Sequence, residues 1–329
     1  LYASEIKAFF RHPLFVAEID PEAVNEYSIL GYTVHDRTLL KGVYQLPPAH
    51  FMEITLEDFK IRRYWEPGLS DKKDPAGNNA AVEFEQLIKD TVKSQLRSDV
   101  KAGCQLSGGI DSSLVTTFSR PHFKDGMDTF SIIPCNKNFS EEPFIDQVIS
   151  KTAPRAHKIS MTPEYWTDNI CQATYHIDAP VSSPHTLGIK KLAETARGNV
   201  KVLLSGEGSD ELMAGYLVFY RFACRQSLLG KILRSPKMPF KSRRTLRYLL
   251  PDMDSKDFFI LNRSSHLKKG IRVNKNIDDK VFYNNQRQFM PDSSDPLKNI
   301  RVYDMRVRLP HLLACLLYTS DAADDLQPV

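Results

Sequence analysis

No stretch of this chain approaches the ~20 consecutive apolar residues that a bilayer-spanning helix needs, so no membrane partner is expected. The opening residues, LYASEIKAFF, lack the charged-then-apolar layout of a secretory leader. There is no initiating Met before Leu1, and the natural N-terminus is expected to lie upstream. Cysteine is sparse: Cys104, Cys135, Cys171, Cys224 and Cys315 form no CxxC pair and no metal-ligand spacing. An odd, scattered set fits free thiols in a reducing cytoplasm, where the expectation places the chain, and small buried apolar groups rather than ligands. A strong charge of either sign is also missing, the net value being +4. One segment, Arg221–Arg247, carries nine Lys or Arg and no acid. It lacks the interleaved aromatics of a base-stacking platform, so it reads as a solvated face and no nucleic-acid partner is expected.

What remains is a globular chain of 329 residues, long enough for two folding units. Residues 1–66 hold short strand-like runs and turns, among them GVYQLPPAHFMEI and FKIRRYW. Residues 67–80, PGLSDKKDPAGNNA, are polar and rich in turn formers, and read as a linker. After it the pattern alternates. AVEFEQLIKDTVKSQL has helical spacing, AGCQL is a short buried strand, and Asp111–Arg120 is a helix. DTFSIIP and AHKI read as strands, and Glu142–Thr152, Pro163–His176 and Thr186–Arg197 as helices. VKVLLS closes the series as a strand, with a helix over Glu211–Tyr220. From Phe222 on, the chain reads as mostly helical. Strands alternating with helices predict an α/β unit with a parallel sheet covered on both faces. Such sheets bind ligands beyond the carboxyl ends of their strands.

Two glycine-rich loops fall on that edge. The first is SGGIDSS, residues 107–113, directly after an apolar strand. Gly108 and Gly109 permit close approach of backbone to an anion, and the amides at a helix start point at it. Ser107, Ser112 and Ser113 add hydroxyls. A Walker loop would supply a lysine; here Asp111 stands in that region instead. A carboxylate beside phosphate needs a cation between them, and Mg²⁺ held by carboxylate and phosphate oxygens meets that need. The pattern therefore points to Mg-ATP cleaved with release of pyrophosphate. A plain Gly/Ser turn with Asp111 as helix cap would explain SGG alone, but not the full seven residues in this position.

The second loop is SGEGSDE, residues 205–211. Asp210 is the natural second carboxylate for Mg²⁺. Glu207, between two glycines, suits a carboxylate that meets a substrate as general base or ammonia-binding group. Glu211 is expected to support the helix start.

Together the loops resemble the glutamine-hydrolysing asparagine synthetase family. SDVKAGCQLSGGIDSS, TFSII, HIDAP and VKVLLSGEGSDELMAGY follow in family order, and ASEIKAF, TLLKGVYQLPPAHFMEI and YW resemble the end of its glutaminase domain. The resemblance implies a pyrophosphate-loop synthetase domain over residues 81–314, of the adenine-nucleotide alpha-hydrolase-like type. A β-rich remnant of an N-terminal nucleophile glutaminase domain over 1–66 precedes it. It implies ATP and Mg²⁺ as cofactors and aspartate and glutamine-derived ammonia as substrates, with β-aspartyl-AMP between them. Ser107, Gly108, Gly109, Asp111, Ser112 and Ser113 match the pyrophosphate loop. Leu106, Ile132, Ser205 and Gly206 match contacts to the adenosine part, Asp111 and Asp210 the Mg²⁺ ligands, and Glu207 the acid beside the acyl-adenylate. A homodimer is compatible with it.

Departures are visible. Ile133 stands where the family has Gly, Met213 where an aromatic or Leu is commoner, and Ala214 where the first Gly of GGY is usual. The family's N-terminal nucleophilic Cys does not occur here. The late Asp-Arg-x-Ser-Met-Ala-type helix and its basic residue do not follow YDMRVRLPHLLA either. Residues 315–329 instead read CLLYTSDAADDLQPV, of which 315–324 are what a transposase sequencing adapter encodes. They are expected to be non-native, and the polypeptide by itself is expected to have weak or no synthetase activity. Rival readings remain. Enzymes with both loops also close β-lactam rings, cyclise peptides or amidate surface-polysaccharide sugars. A tRNA- or base-modifying enzyme would share SGGxDS but not the second loop. A non-catalytic nucleotide-binding paralogue would not need Asp111, Glu207 and Asp210 together.

Overall fold

The computed structural model describes residues 1–68, 79–219, 286–291, 293 and 295–313. The expectations for the basic segment after Phe222 and for residues 315–329 lie outside them. The chain divides into two compact units. Among the described residues, one holds 1–68, 210–219 and 286–312, and the other holds 79–209 and 313.

In the first unit, α1 (Pro21–Leu30) was not expected, although its signals are in the sequence. The Asp20 carboxylate caps it by accepting from the Glu22 and Ala23 amides, Pro21 opens it, and Gly31 ends it at φ 84. Strands β1 (His50–Ile54) and β2 (Phe59–Arg63) fall within the two expected strand-like runs and pair as an antiparallel hairpin. Helix α8 (Pro296–Tyr303) runs on into a wide turn, Asp304–Arg308. Ile29, Leu30, Val218, Phe219, Ile300, Tyr303 and Val307 make this unit's core.

The second unit is the expected α/β layer structure. Its strands are β3 (Ala102–Gln105), β4 (Asp128–Pro134), β5 (Arg155–Met161) and β6 (Val202–Leu204). All neighbours pair in parallel, in the order β5-β4-β3-β6. Helices α2 (Ala80–Gln95) and α3 (Ile110–Ser119) cover one face: Val92, Val115 and Phe118 pack with Cys104, Met127 and Leu204. Helix α6 (Pro184–Arg197) covers the other, where Leu192 and Ala196 meet Phe130 and Ile159. Helices α4 (Glu142–Thr152) and α5 (Pro163–Ile177) complete the shell. Pro opens α4, α5 and α6 in the first turn, where a missing amide hydrogen costs nothing.

The strand order places the site. The chain moves from β3 outward to β4 and β5, then returns to the other side of β3 for β6. The reversal falls between β3 and β6, which makes the crevice beyond their carboxyl ends the topological switch point. The amino end of the sheet is fastened differently. Asp128, buried, takes Arg155 Nη2 at 2.8 Å, Arg155 Nε at 3.2 Å, His157 Nε2 at 2.9 Å and Lys101 Nζ at 2.9 Å. These bonds hold Asp128 well below the ordinary carboxylate range, the Arg155 bond most of all.

Candidate active site

Pairing of Cys104 with Leu204 sets the segments that follow β3 and β6 side by side. The contact between them is close. A Cβ on Gly206 would stand 2.7 Å from the Ser112 backbone nitrogen and 3.0 Å from Asp111 Cβ. Glycine at 206 is therefore what lets the second loop lie against the start of α3.

The first loop is closed by its own serines. Leu106, fully buried, ties its root to β4 by donating its amide to the Phe130 carbonyl at 2.9 Å. The Ser107 and Ser112 hydroxyls are 2.9 Å apart, and the Ser107 amide donates to Ser112 Oγ at 3.2 Å. The Gly109 amide donates to Ser107 Oγ at 3.3 Å. The Ser112 and Ser113 hydroxyls donate to the Gly109 carbonyl at 3.2 and 2.7 Å. Gly108 is left-handed at φ 90, and a Cβ there would stand 3.0 Å from the Glu141 carbonyl oxygen. Asp111 lies half-buried in the first turn of α3, and Ile132, partly buried near the end of β4, packs toward Gly188 of α6.

In the second loop the Glu207 amide donates to Ser205 Oγ at 3.4 Å and the Ser209 hydroxyl to the Gly206 carbonyl at 3.0 Å. Gly208 is buried at φ 93. The Glu207 side chain is 25% exposed, and its Oε1 stands 3.7 Å from His185 Nε2, at the start of α6. His185 was missed in the sequence. Its signal was SSPH, a capping serine and proline that open a helix at the same sheet edge.

Asp210 belongs to the first unit, at the junction helix α7 (Ser209–Met213). Its carbonyl accepts the Gly215 amide at 2.9 Å, and its carboxylate lies so near Gly215 that a Cβ would come within 1.9 Å of Oδ1. Ala214 turns the chain there at φ 59, so α7 stops short of the helix expected through Tyr220. Glu211 stands in the first turn of α7, where it was expected, and its side chain makes further bonds. It is 1% exposed and accepts from the Tyr216 hydroxyl at 2.7 Å and from Arg308 at 3.3 Å. The Arg308 guanidinium also lies 4.4 Å over the Tyr216 ring. Burial, more than the Glu211 charge, raises the Tyr216 phenol above its ordinary value.

Among the described residues no group of three or more His, Cys, Asp or Glu is arranged to hold a metal. Asp111, in the second unit, and Asp210, in the first, each carry hard carboxylate oxygens of the kind Mg²⁺ takes. No helix among the described residues is long and apolar enough to cross a membrane. The first unit also has a half-open cavity of about 540 Å³, lined by Arg37, Trp65, Phe289 and Arg306 among others; no sequence-predicted site residue lines it.

Comparison with known proteins places these features in a family. The asparagine synthase profile matches residues 83–315, and the glutamine amidotransferase domain profile matches residues 1–65. Asparagine synthetase (glutamine-hydrolysing) 1 of Bacillus subtilis is 28% identical over 208 residues, 61% of this chain and 32% of that protein. Asparagine synthetase (glutamine-hydrolysing) 3 of the same organism is 29% identical over 67% of this chain and 38% of that protein. Amidase chyE of Penicillium rubens is 29% identical over 67% of this chain and 35% of that protein. The chain thus spans about a third of the length of the curated relatives it matches. Among solved structures, an NH3-dependent NAD synthetase of Campylobacter jejuni aligns over 71% of this chain and 95% of that one. Its identity is 14% and its TM-score 0.33. With the synthase profile covering most of the chain and both of its glycine-rich loops, this chain belongs to the asparagine synthase family.

Proposed function

We propose that this chain carries the amide-forming part of a glutamine-hydrolysing asparagine synthetase. ATP and aspartate give β-aspartyl-AMP and pyrophosphate, and ammonia derived from glutamine converts the adenylate to asparagine and AMP. The observation that carries the reading is the packing of Gly206 against Asp111 and Ser112 at the switch point. It joins a phosphate-type loop to a loop bearing an acid, where a parallel sheet binds its ligands.

Each residue has a role in this reading. Ser107, Gly108, Gly109, Ser112 and Ser113 cradle the pyrophosphate, with the start of α3 supplying amides and dipole. Leu106, Ile132, Ser205 and Gly206 line the adenosine side. Glu207 faces the activated carboxyl and the incoming ammonia, and takes up a proton as the amide forms. Asp111 and Asp210 would hold Mg²⁺, which when bound neutralises the phosphate charge. In the same reading residues 1–66 are glutaminase remnant, 67–80 linker, 81–314 synthetase domain and 315–329 non-native.

A second reading keeps the chemistry and changes the carboxylate. It is favoured by a relative named as an amidase among the matches, and by Ile133 at the rim of the nucleotide side. The two are separated by carboxylate-dependent release of pyrophosphate from ATP, measured with aspartate and with a panel of other carboxylates. Release driven by aspartate alone supports the synthetase. Release driven by another member of the panel gives the second reading. In the full-length protein, ATP binding by calorimetry with no release under any carboxylate refutes both and favours a nucleotide-binding role.

A further inference from the structure

His185 and Glu207 come from separate elements whose backbones are fixed independently. Ser183 caps α6 by accepting the His185 amide at 3.3 Å, with Pro184 between them. On the other side Ser205 Oγ accepts the Glu207 amide, and Gly208 turns the chain in the left-handed region. The 3.7 Å between His185 Nε2 and Glu207 Oε1 therefore follows from two anchored loops meeting. Exposure is graded across the pair: Glu207 is 25% exposed and His185 53%. The imidazole stands at the wetter end, the carboxylate deeper in the crevice.

We infer that His185 is a positioning residue for Glu207, holding the carboxylate in the rotamer that faces the reacting acyl group. The inference rests on the role given to Glu207 above. A glutamate side chain has three rotatable bonds and several staggered wells. An imidazole 3.7 Å away, carried on a backbone anchored at Ser183, biases the choice among them, and selecting one of several wells changes a rate by roughly tenfold at most. Adenylate formation does not use Glu207, so it does not depend on His185.

The experiment compares two partial reactions of the full-length protein, both with aspartate as the carboxylate. One is ATP–pyrophosphate exchange, which reads adenylation. The other is amide formation at saturating ammonium chloride, which needs no glutaminase. His185→Ala is expected to leave exchange within about twofold and to lower amide formation about tenfold, with His185→Gln recovering a third or more of it. Added to Glu207→Gln, His185→Ala is expected to cause no further loss. An undiminished amide rate overturns the inference. So does a loss of equal size in the Glu207→Gln background, or a raised aspartate KM with kcat intact, which would make His185 a substrate contact. A Glu207→Gln variant with normal amide formation instead refutes the role of Glu207 itself. A double-mutant cycle on the unfolding equilibrium of the 329-residue chain reads the pair without turnover. Coupling of about twofold to fivefold is expected, and strictly additive effects overturn the inference.

Discussion

Gly206 and Ser112 meet so closely that one added carbon would not fit: a Cβ at 206 lies 2.7 Å from the Ser112 backbone nitrogen. The atom it would strike is backbone at the start of α3, which cannot rotate away. Gly206→Ala is therefore expected to push the two loops apart. The cost is about 1–3 kcal/mol of stability, in the usual range for overpacking, together with most of the ATP affinity. Gly198→Ala is the control, since nothing lies within 4 Å of a Cβ there and its φ is −71°. It is expected to leave both unchanged. Thermal unfolding and ATP titration of the two variants check the contrast.

At the opposite end of the sheet, Asp128 makes stability depend on acid. Its carboxyl is held well below its ordinary value, chiefly by Arg155. A group whose folded value is depressed adds stability above its unfolded value of about 4, and that stability is lost as pH falls toward the folded value. Asp128→Asn is expected to cost about 2 kcal/mol at pH 7. That is below the roughly 3–5 kcal/mol for breaking a fully buried pair, because Arg155 and Lys101 keep about half their surface in water. The penalty should shrink steadily below pH 4. Denaturant unfolding of both proteins at pH 7 and in steps below 4 tests this, and a penalty independent of pH would refute it.

The α/β unit was legible because its signals are local. Buried strands of β-branched and leucine residues, glycines after β3 and β6, and 3.6-residue spacing in α2 needed no tertiary information. The two loops were legible for the same reason. Helix α1 was equally marked, by Asp20, Pro21 and Gly31, but strand-like neighbours drew the reading toward β structure. His185 and Arg308 are another matter. Their partners, Glu207 and Glu211, are 22 and 97 residues away, and no spacing rule links them. Pairs set by topology are invisible until the strand order is known.

Glu211 shows what such a pair does. Its carboxylate is buried with the Tyr216 hydroxyl and Arg308, which fastens the segment after Asp210 to the turn that follows α8. Glu211→Gln keeps the shape and removes the charge, leaving the mostly buried Arg308 with the Asp304 carboxylate but without the one it bonds. The expected loss is about 2–3 kcal/mol. Because Asp210 is the next residue back, Mg-ATP affinity should weaken too. Chemical unfolding and Mg-ATP titration of the single variant, and of Glu211→Gln with Arg308→Met, provide the check. If removing both charges restores no stability, the two side chains are not a pair.

Ala214 stands where the family sequence commonly has glycine, and its φ of 59 is one that an L side chain adopts at a cost. Steric strain from its Cβ is worth about 1–2 kcal/mol. Ala214→Gly removes the strain but frees the unfolded chain by ~0.5–1 kcal/mol. The net expectation is a small gain, visible as a rise of a few degrees in Tm, with ATP binding unchanged. Gly215→Ala, one residue on, should behave in the opposite way. Its Cβ would come within 1.9 Å of Asp210 Oδ1, so the carboxylate must leave its place. Stability is then expected to fall, and Mg²⁺-dependent ATP binding to fall further than stability alone explains. Equal effects of the two substitutions would mean that neither the Ala214 strain nor the Asp210 contact governs this turn.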